Sequence, residues 1–373
     1  MRVMIATVPG DLHGRAIEWA LNRRGVTVDY FITTDFPSRT SLSIGRRGLL
    51  QLNGRHGCGA SIDALPDVLW RRRIKAPIPR EDMHEADIVA AANESLHARD
   101  AALLLMEEYG VFAVNPALAA QRARMKPIQL VVAERVGFSI PETIISNSSR
   151  NINKFCGDGS GTIIKSLTAP VWADGVHTYS PLTTTVGQDL LDNEASLRAA
   201  PAIYQEKVQK AFEVRTLVMG GTTLSVMIDS QVSDASMADW RGLSTADQNV
   251  QRHILPRDVE DKCVQLVRGL GICTGSIDMI VGPSGDYTFL EVNEMGQFLW
   301  MERDCEDLPV LDAFASFLTS RDSDFRWSGT AAVGVSFTEF WESGHAQRSY
   351  ELEQANSAPF DFSEGRVFVE AQS

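Results

Sequence analysis

Apolar and polar positions fall into two alternating rhythms along the first third of the chain. Val3 to Val8 is a short apolar run that predicts a buried strand. Helical spacing through Ile17, Ala20 and Leu21 predicts a helix from His13 to Asn22, and V-T-V-D-Y-F alternates as a second strand. Gly-rich stretches around Gly45, Gly54 and Gly57 predict hairpin turns. Asp67 to Ile74 is a further strand carrying Arg71, Arg72 and Arg73, and a helical region with interruptions runs from Pro79 to Tyr109. V-F-A-V-N-P closes this opening α/β unit, and no internal repeat or heptad pattern follows it.

The most informative pattern lies later, in S-I-D-M-I-V-G-P-S-G-D-Y-T-F-L-E-V-N, two apolar runs around the turn-forming pair Ser284-Gly285. A two-residue loop there sets Asp278 opposite Glu291, with Asn293 on the same face as Glu291. Facing carboxylates repel, and a hard divalent cation with oxygen ligands turns that liability into a site. The competing reading is a solvated sheet face.

Upstream, Y-Q-E-K-V-Q-K-A-F-E-V-R-T-L-V-M-G-G gives a strand end, a polar connection and a hairpin turning at Gly220-Gly221. Glu213 and Arg215 share one face of that hairpin, which suits a carboxylate for ribose hydroxyls and a guanidinium for phosphate. Lys165 closes the run T-I-I-K, and Lys126 precedes Pro127, which leaves the local helix boundary open. Each residue alone reads as a surface charge or a cross-strand pair. Their order over one domain's length points to a nucleotide site.

These segments resemble the ATP-grasp carboxylate ligases and, within them, the graspetide (microviridin-type) peptide-maturing ligases. The resemblance runs from D-V-L-W-R-R-R through V-N-P-A-L-A-A-Q-R-A-R-M-K-P-I-Q-L, G-F-S-I-P-E-T-I-I-S-N, Y-Q-E-K-V, E-V-R, I-D-S-Q and A-D-W-R to E-V-N-E-M-G-Q-F-L-W. It implies an α/β chain with the ATP-grasp fold. Residues 1–115 are then an N-terminal pre-ATP-grasp α/β domain, 116–200 a central subdomain, 201–325 a C-terminal subdomain with the metal site, and 326–373 an extension of unknown role.

The resemblance also implies roles. ATP and Mg²⁺ are the cofactors. Lys126 and Lys165 contact phosphates, with Lys165 also near adenine. Gln205, Glu206, Lys207 and Val208 form the segment between subdomains, where Glu206 and the backbone at Lys207 and Val208 read the adenine edge. Glu213 meets ribose, Arg215 meets phosphates, and Asp278, Glu291 and Asn293 hold Mg²⁺. Arg241 faces the γ-phosphate and the acceptor carboxylate, where transferred charge needs stabilising. Glu294 stands where the family usually has Pro, and Phe298 replaces a usual Trp. The implied substrate is a ribosomally made acidic precursor peptide, leader plus core. Its Asp or Glu side chains are activated as acyl phosphates and joined to Thr or Ser hydroxyls or Lys amines. A homodimer suits the family.

Composition fits a cytoplasmic enzyme. The net charge of −13 argues against a nucleic-acid partner. No apolar run is long enough for a bilayer, and the first residues lack a signal-peptide pattern. Cys58, Cys156, Cys263, Cys273 and Cys305 are odd in number without C-x-x-C spacing, which reads as reduced core thiols. Gly157 to Gly161 lacks the ending of a P-loop and reads as a turn, so the phosphate-covering loop is placed between Thr168 and Thr185. R-R-R-I-K is ordinarily a solvated face, with docking of an acidic peptide as the alternative. His177 and His253 read as structural. The tail after Arg326 packs on the body, covers the site, mediates oligomer contacts or stays mobile; a fused substrate around Thr338, Glu339 and Glu342 is a remote alternative. Asp239 and Glu294 lie near proposed site residues without a pattern that names a general base. Two other functions stay open at this level: an intermolecular amino-acid or glutamate ligase, and an inactive nucleotide-binding scaffold.

Overall fold

The computed structural model describes residues 1–45, 50–53, 59–60, 65–76, 83–168, 172–173, 178–179, 183–229, 249–329 and 334–356. A parallel sheet opens the chain. Its strands β1 (Arg2–Thr7), β2 (Thr27–Ile32), β3 (Val68–Arg71) and β4 (Phe112–Val114) lie in the order β2-β1-β3-β4. Helix α1 (Leu12–Arg23) starts where the Asp11 carboxylate accepts the Gly14 N–H at 3.3 Å. Helix α2 (Glu85–Glu108) is one uninterrupted helix rather than the broken region expected, because its span contains neither Gly nor Pro. Strand β3 is shorter than expected: the chain leaves it at Arg72, whose N–H donates to the Ala6 carbonyl. Ser41–Ile44, Leu50–Asn53 and Gly59–Ala60 form a small antiparallel sheet where hairpins were expected, with turns outside the described residues.

After α3 (Ala117–Ala123) and α4 (Lys126–Arg135) comes a second, antiparallel sheet. It contains β5 (Thr143–Ser146), β6 (Thr162–Lys165) and β7 (Ala202–Glu206), with β7 between the other two. Pro127 occupies the first turn of α4, where its missing N–H costs nothing.

The third sheet positions the site. Strands β8 (Phe212–Met219), β9 (Thr222–Asp229), β10 (Asn249–His253), β11 (Thr274–Val281) and β12 (Tyr287–Asn293) lie in the order β10-β9-β8-β11-β12. The β8–β9 hairpin turns at Gly220 (φ 59°), where a Cβ would stand 2.6 Å from the Phe325 nitrogen, so only glycine fits. Alternation gives the sheet two unlike faces. Val214, Val218, Ile277 and Met279 face a core shared with α4 and α5 (Arg257–Leu270). Leu217 and Val226 face the other way, into a core with Ile17, Trp70, Phe314 and Phe340. Arg215 and Asp278 lie on that same face.

Helices α6 (Leu299–Asp304), α7 (Val310–Ser320) and α8 (Phe337–Glu342) close this second core. Of the alternatives for the tail, packing on the body holds through α8, where Phe337 and Phe340 are buried, and on to Ala346. Glu339, next to Thr338, is engaged in the capping box of α8 with Ser336. The four described cysteines are buried and unbonded, and Cys58 lies outside the described residues. No helix among the described residues is long and apolar enough to cross a membrane.

Glu302 ties the closing helices together. Its carboxylate accepts the Leu311 N–H at 2.6 Å and the Phe337 N–H at 2.7 Å. Burial pushes its carboxyl from 4.5 up to about 7, against the pull of those N–H groups. The folded protein therefore holds this proton more tightly than the unfolded chain. The stability it contributes is whole below the unfolded value and is lost as pH rises through about 7. Between about pH 5 and pH 8, Glu302 is expected to cost the native state about 2–3 kcal/mol. Denaturant titrations at the two pH values check this: the Glu302→Gln variant should lack that part of the slope.

Candidate active site

The hairpin of β11 and β12 sets Asp278 opposite Glu291 and Ser276 opposite Asn293. The expected register is present, but the turn differs. Gly282 and Asp286 close a three-residue loop, Pro283-Ser284-Gly285, with Gly285 at φ 87°. That loop shifts the pairing by one residue, so Met279 faces Phe289, and a bulge at Leu290 shifts it back before Asp278 meets Glu291. Two offsets cancel.

Asp278 and Glu291 belong to a row that crosses the sheet: Arg252, Val226, Arg215, Asp278 and Glu291 are successive cross-strand partners. Directly opposed antiparallel residues share a face. The Arg215 guanidinium donates Nε–H to Asp278 Oδ1 at 2.7 Å and Nη2–H to Oδ2 at 2.8 Å, a bidentate buried pair. The same guanidinium lies over the Trp300 ring at 5.9 Å. Glu291 is paired with the Lys126 ammonium. Each carboxylate of the facing pair thus has its own cation, which offsets their repulsion. One row away, Lys210 Nζ donates to Glu213 at 2.5 Å, both side chains largely buried.

Lys126 reaches Glu291 because the α3–α4 elbow lies along β12. Next to it, the Arg124 guanidinium pairs with the Glu294 carboxylate, which is 8% exposed. The acid that follows the expected metal ligand Asn293 is therefore engaged by arginine. Asn293 is exposed, and its Oδ1 accepts the Met295 N–H at 3.3 Å.

Lys165 and Gln205 to Val208 belong to the second sheet and the connection that leaves it. Lys165 ends β6, facing Ile203 of β7. The buried Gln205 donates Nε2–H to Thr143 Oγ1 at 2.8 Å, and its Oε1 has no hydrogen-bond partner. The Lys207 N–H donates to the Gly161 carbonyl at 2.8 Å, which places the Gly157–Gly161 turn under this connection. Arg241, Asp239 and His177 lie outside the described residues, as does much of the Thr168–Thr185 segment. His253 is half-buried, bonded to the Tyr287 hydroxyl at 2.7 Å, which fits a structural role.

One sequence expectation is corrected. The R-R-R-I-K run is not a solvated stripe, because Arg72 is 2% exposed. Its guanidinium lies 3.5 Å from Asp11 and donates Nη1–H to the Met295 carbonyl, just past β12. Arg71 lies 3.9 Å from Glu107. Arg72 is turned inward, while Arg73 is partly exposed and Lys75 exposed.

Three other buried side chains, unremarked in the sequence, converge on the same segment. Asn115 donates Nδ2–H to the Thr274 carbonyl at 2.8 Å and the Glu294 carbonyl at 3.0 Å, and its Oδ1 accepts the Cys273 and Thr274 N–H groups at 2.9 and 3.0 Å. His13 Nε2 accepts the Phe298 and Leu299 N–H groups at 2.9 and 3.1 Å. Burial, then the charges of Arg72 and Arg73, hold its imidazole well below the usual range, so it stays a neutral acceptor. Gln129 bonds the backbone of Val292. Only the N-P-A and M-K-P-I-Q-L strings hinted at two of these.

Among the described residues no three His, Cys, Asp or Glu side chains group as a metal site. The expected donors, Asp278, Glu291 and Asn293, are two carboxylates and one amide, all hard oxygens of the kind that Mg²⁺ would take together with phosphate oxygens. A cleft of about 880 Å³ lies elsewhere, lined by Asp67, Glu107, Phe112, Arg268 and Asp324, and contains none of the proposed site residues.

No protein-family model matches the chain, and no curated protein matches it by sequence. Solved structures do. The macrocyclase MdnC from Microcystis aeruginosa MRC, bound with precursor peptide MdnA, matches with a TM-score of 0.76 and 26% identity, covering 86% of this chain and 100% of that one. A RiPP-associated ATP-grasp ligase from Chryseobacterium gregarium, in complex with ADP and a leader and core peptide, matches with a TM-score of 0.77 and 24% identity over 88% of this chain and 100% of its own. The ATP-grasp ligase PsnB, complexed with minimal precursor, Mg and ADP, matches with a TM-score of 0.68 and 21% identity over 86% of this chain and 97% of its own. Over nearly its whole length the chain shares the ATP-grasp fold of these peptide-maturing ligases.

Proposed function

We propose that the protein uses ATP to join Asp or Glu side chains of a ribosomally made precursor peptide to Thr or Ser hydroxyls or Lys amines, forming macrolactones or macrolactams. The observation that carries this reading is the charged row on the third sheet, where Asp278 and Glu291 face one another and are held by Arg215 and Lys126. Phosphate is the ligand that those two cations suit once a divalent ion takes over the carboxylates.

A carboxylate is a poor acyl donor because its leaving group would be oxide. Transfer of the γ-phosphoryl group breaks the bond to ADP and makes an acyl phosphate. The hydroxyl or amine then attacks the acyl carbon, the bond to phosphate breaks, and the nucleophile gives up its proton. Mg²⁺, when bound, supplies charge that neutralises the phosphate oxygens. The chain's own residues bind and align. Lys126, Lys165 and Arg215 hold phosphates, Glu213 with its Lys210 partner faces ribose, and Gln205 to Val208 read adenine. Arg241 faces the acceptor carboxylate. An acidic peptide, a homodimer and a cytoplasmic setting belong to the same proposal, as does the division into a pre-ATP-grasp domain, two ATP-grasp subdomains and a C-terminal extension.

Mass spectrometry of candidate precursor peptides incubated with enzyme, ATP and Mg²⁺ tests the reading. Loss of one water per bond, dependent on ATP and blocked in Glu291→Gln, supports intramolecular condensation. A mass gain equal to an added amino acid would instead establish an intermolecular ligase. ATP binding with no ADP release on any peptide would return the chain to a scaffold.

A further inference from the structure

We infer that Gln129 is a positioning residue: its carboxamide acts as the missing neighbour of strand β12 and fixes the spacing between Lys126 and the Glu291–Asn293 pair. The inference rests on the nucleotide and metal reading given above and deepens it.

Strand β12 is the edge of the third sheet. Alternate residues of an antiparallel edge turn both backbone groups away from the sheet, where they need partners. Val292 is such a residue, and it sits between Glu291 and Asn293. Gln129 Oε1 accepts the Val292 N–H at 2.9 Å, and Gln129 Nε2–H donates to the Val292 carbonyl at 2.8 Å. One side-chain amide thus makes both bonds that a neighbouring strand would make. The second Nε2 hydrogen donates to the Ala123 carbonyl at 2.6 Å, at the end of α3. Gln129 is 3% exposed, so water does not replace these bonds.

The flanking contacts have the same direction. Arg124 pairs with Glu294 and Lys126 with Glu291, so three side chains of the elbow grip β12 on both sides of its proposed metal ligands. The lysine meant for phosphate and the oxygens meant for the metal are thereby built into one rigid unit. A phosphate-bound cation must reach both at once, so their separation sets how strongly metal and nucleotide support one another. Gln129 touches neither ligand; it acts through the Val292 backbone.

The test measures Mn²⁺ binding by electron paramagnetic resonance, with and without ADP, and ADP binding in EDTA by calorimetry. In wild type, ADP should tighten Mn²⁺ binding. In Gln129→Met, which keeps length and removes the amide, the tightening should fall by about tenfold. ADP affinity in EDTA, per folded molecule, should change by less than about twofold in that variant. A purely structural role would lower the folded fraction and leave the Mn²⁺–ADP coupling of the remaining molecules unchanged, and that result overturns the inference. If Gln129→Met does not fold, Glu294→Gln, which loosens the same elbow, should show a smaller loss of coupling; unchanged coupling there also overturns it. If wild type shows no coupling at all, the metal and nucleotide reading fails and this inference fails with it.

Discussion

The Asp278→Asn variant is expected to lose turnover by at least about 10²–10³-fold, the usual cost of removing one preorganised charge-stabilising group. The change also strikes a buried pair. Arg215 gives two hydrogen bonds to Asp278, at 2.7 and 2.8 Å, and the asparagine can accept only one of them. Leaving a buried guanidinium without its counter-charge costs up to about 3–5 kcal/mol. Activity and stability should therefore fall together, and neither alone would identify a metal ligand. Glu291→Gln separates them. Its partner Lys126 sits in a more open setting, with side-chain exposures of 21% and 28% across the pair, so the stability loss should stay within about 1 kcal/mol. Its turnover should nonetheless fall as far as that of Asp278→Asn. Thermal denaturation and steady-state ADP release on both variants check this. Undiminished turnover of either under limiting Mg²⁺ would remove that residue from the metal site.

Asn115→Leu should be the most destabilising single change among the described residues outside the charged row. Its amide is 3% exposed and fills four backbone bonds, to Cys273 and Thr274 at the start of β11 and to Glu294 beyond β12. Leucine keeps the branched shape and is bulkier, so no cavity arises and crowding adds to the cost. What is lost is bonding: two N–H groups and two carbonyls stay buried without partners, each costing about 1–3 kcal/mol before relaxation. A net loss of about 4 kcal/mol or more is expected. Chemical denaturation with an unchanged m-value would measure it. A loss under about 1 kcal/mol would mean that water or a shifted backbone replaces the amide. Catalysis should weaken too, because Glu294 anchors Arg124 beside Lys126.

Local chemistry was legible in the sequence, and long-range partnership was not. Alternation located the strands, and acid spacing located the hairpin, because both depend on neighbours a few residues apart. The Asp278–Glu291 register was reached through a turn that is not the one present: the three-residue loop and the Leu290 bulge compensate, and neither can be read from turn propensities alone. The Arg71–Arg73 run misled because burial of Arg72 depends on Asp11 and on Met295, over two hundred residues away. His13 was silent for the same reason, and Asn115 and Gln129 were marked only by the motif strings around them, not by a role. Each is a polar residue in an apolar setting whose partners are backbone groups of a distant segment, and composition carries no mark of that. Arg241 stays an expectation outside the described residues.

The shared core of α1, β1 and β3 with Phe298, Phe314 and Phe340 has a consequence for synthesis. As the chain leaves the ribosome, the first sheet emerges long before the aromatic residues that cover one of its faces. Contacts of such large sequence separation pay their loop-closure entropy before they return any energy. The nascent amino-terminal segment must wait with Val3, Ile5 and Trp70 uncovered until the last helices appear, and it is most exposed to misassociation then. A ribosome-bound chain ending before Leu299 should be cut readily by protease within its first hundred or so residues, and one extended past Glu342 should resist.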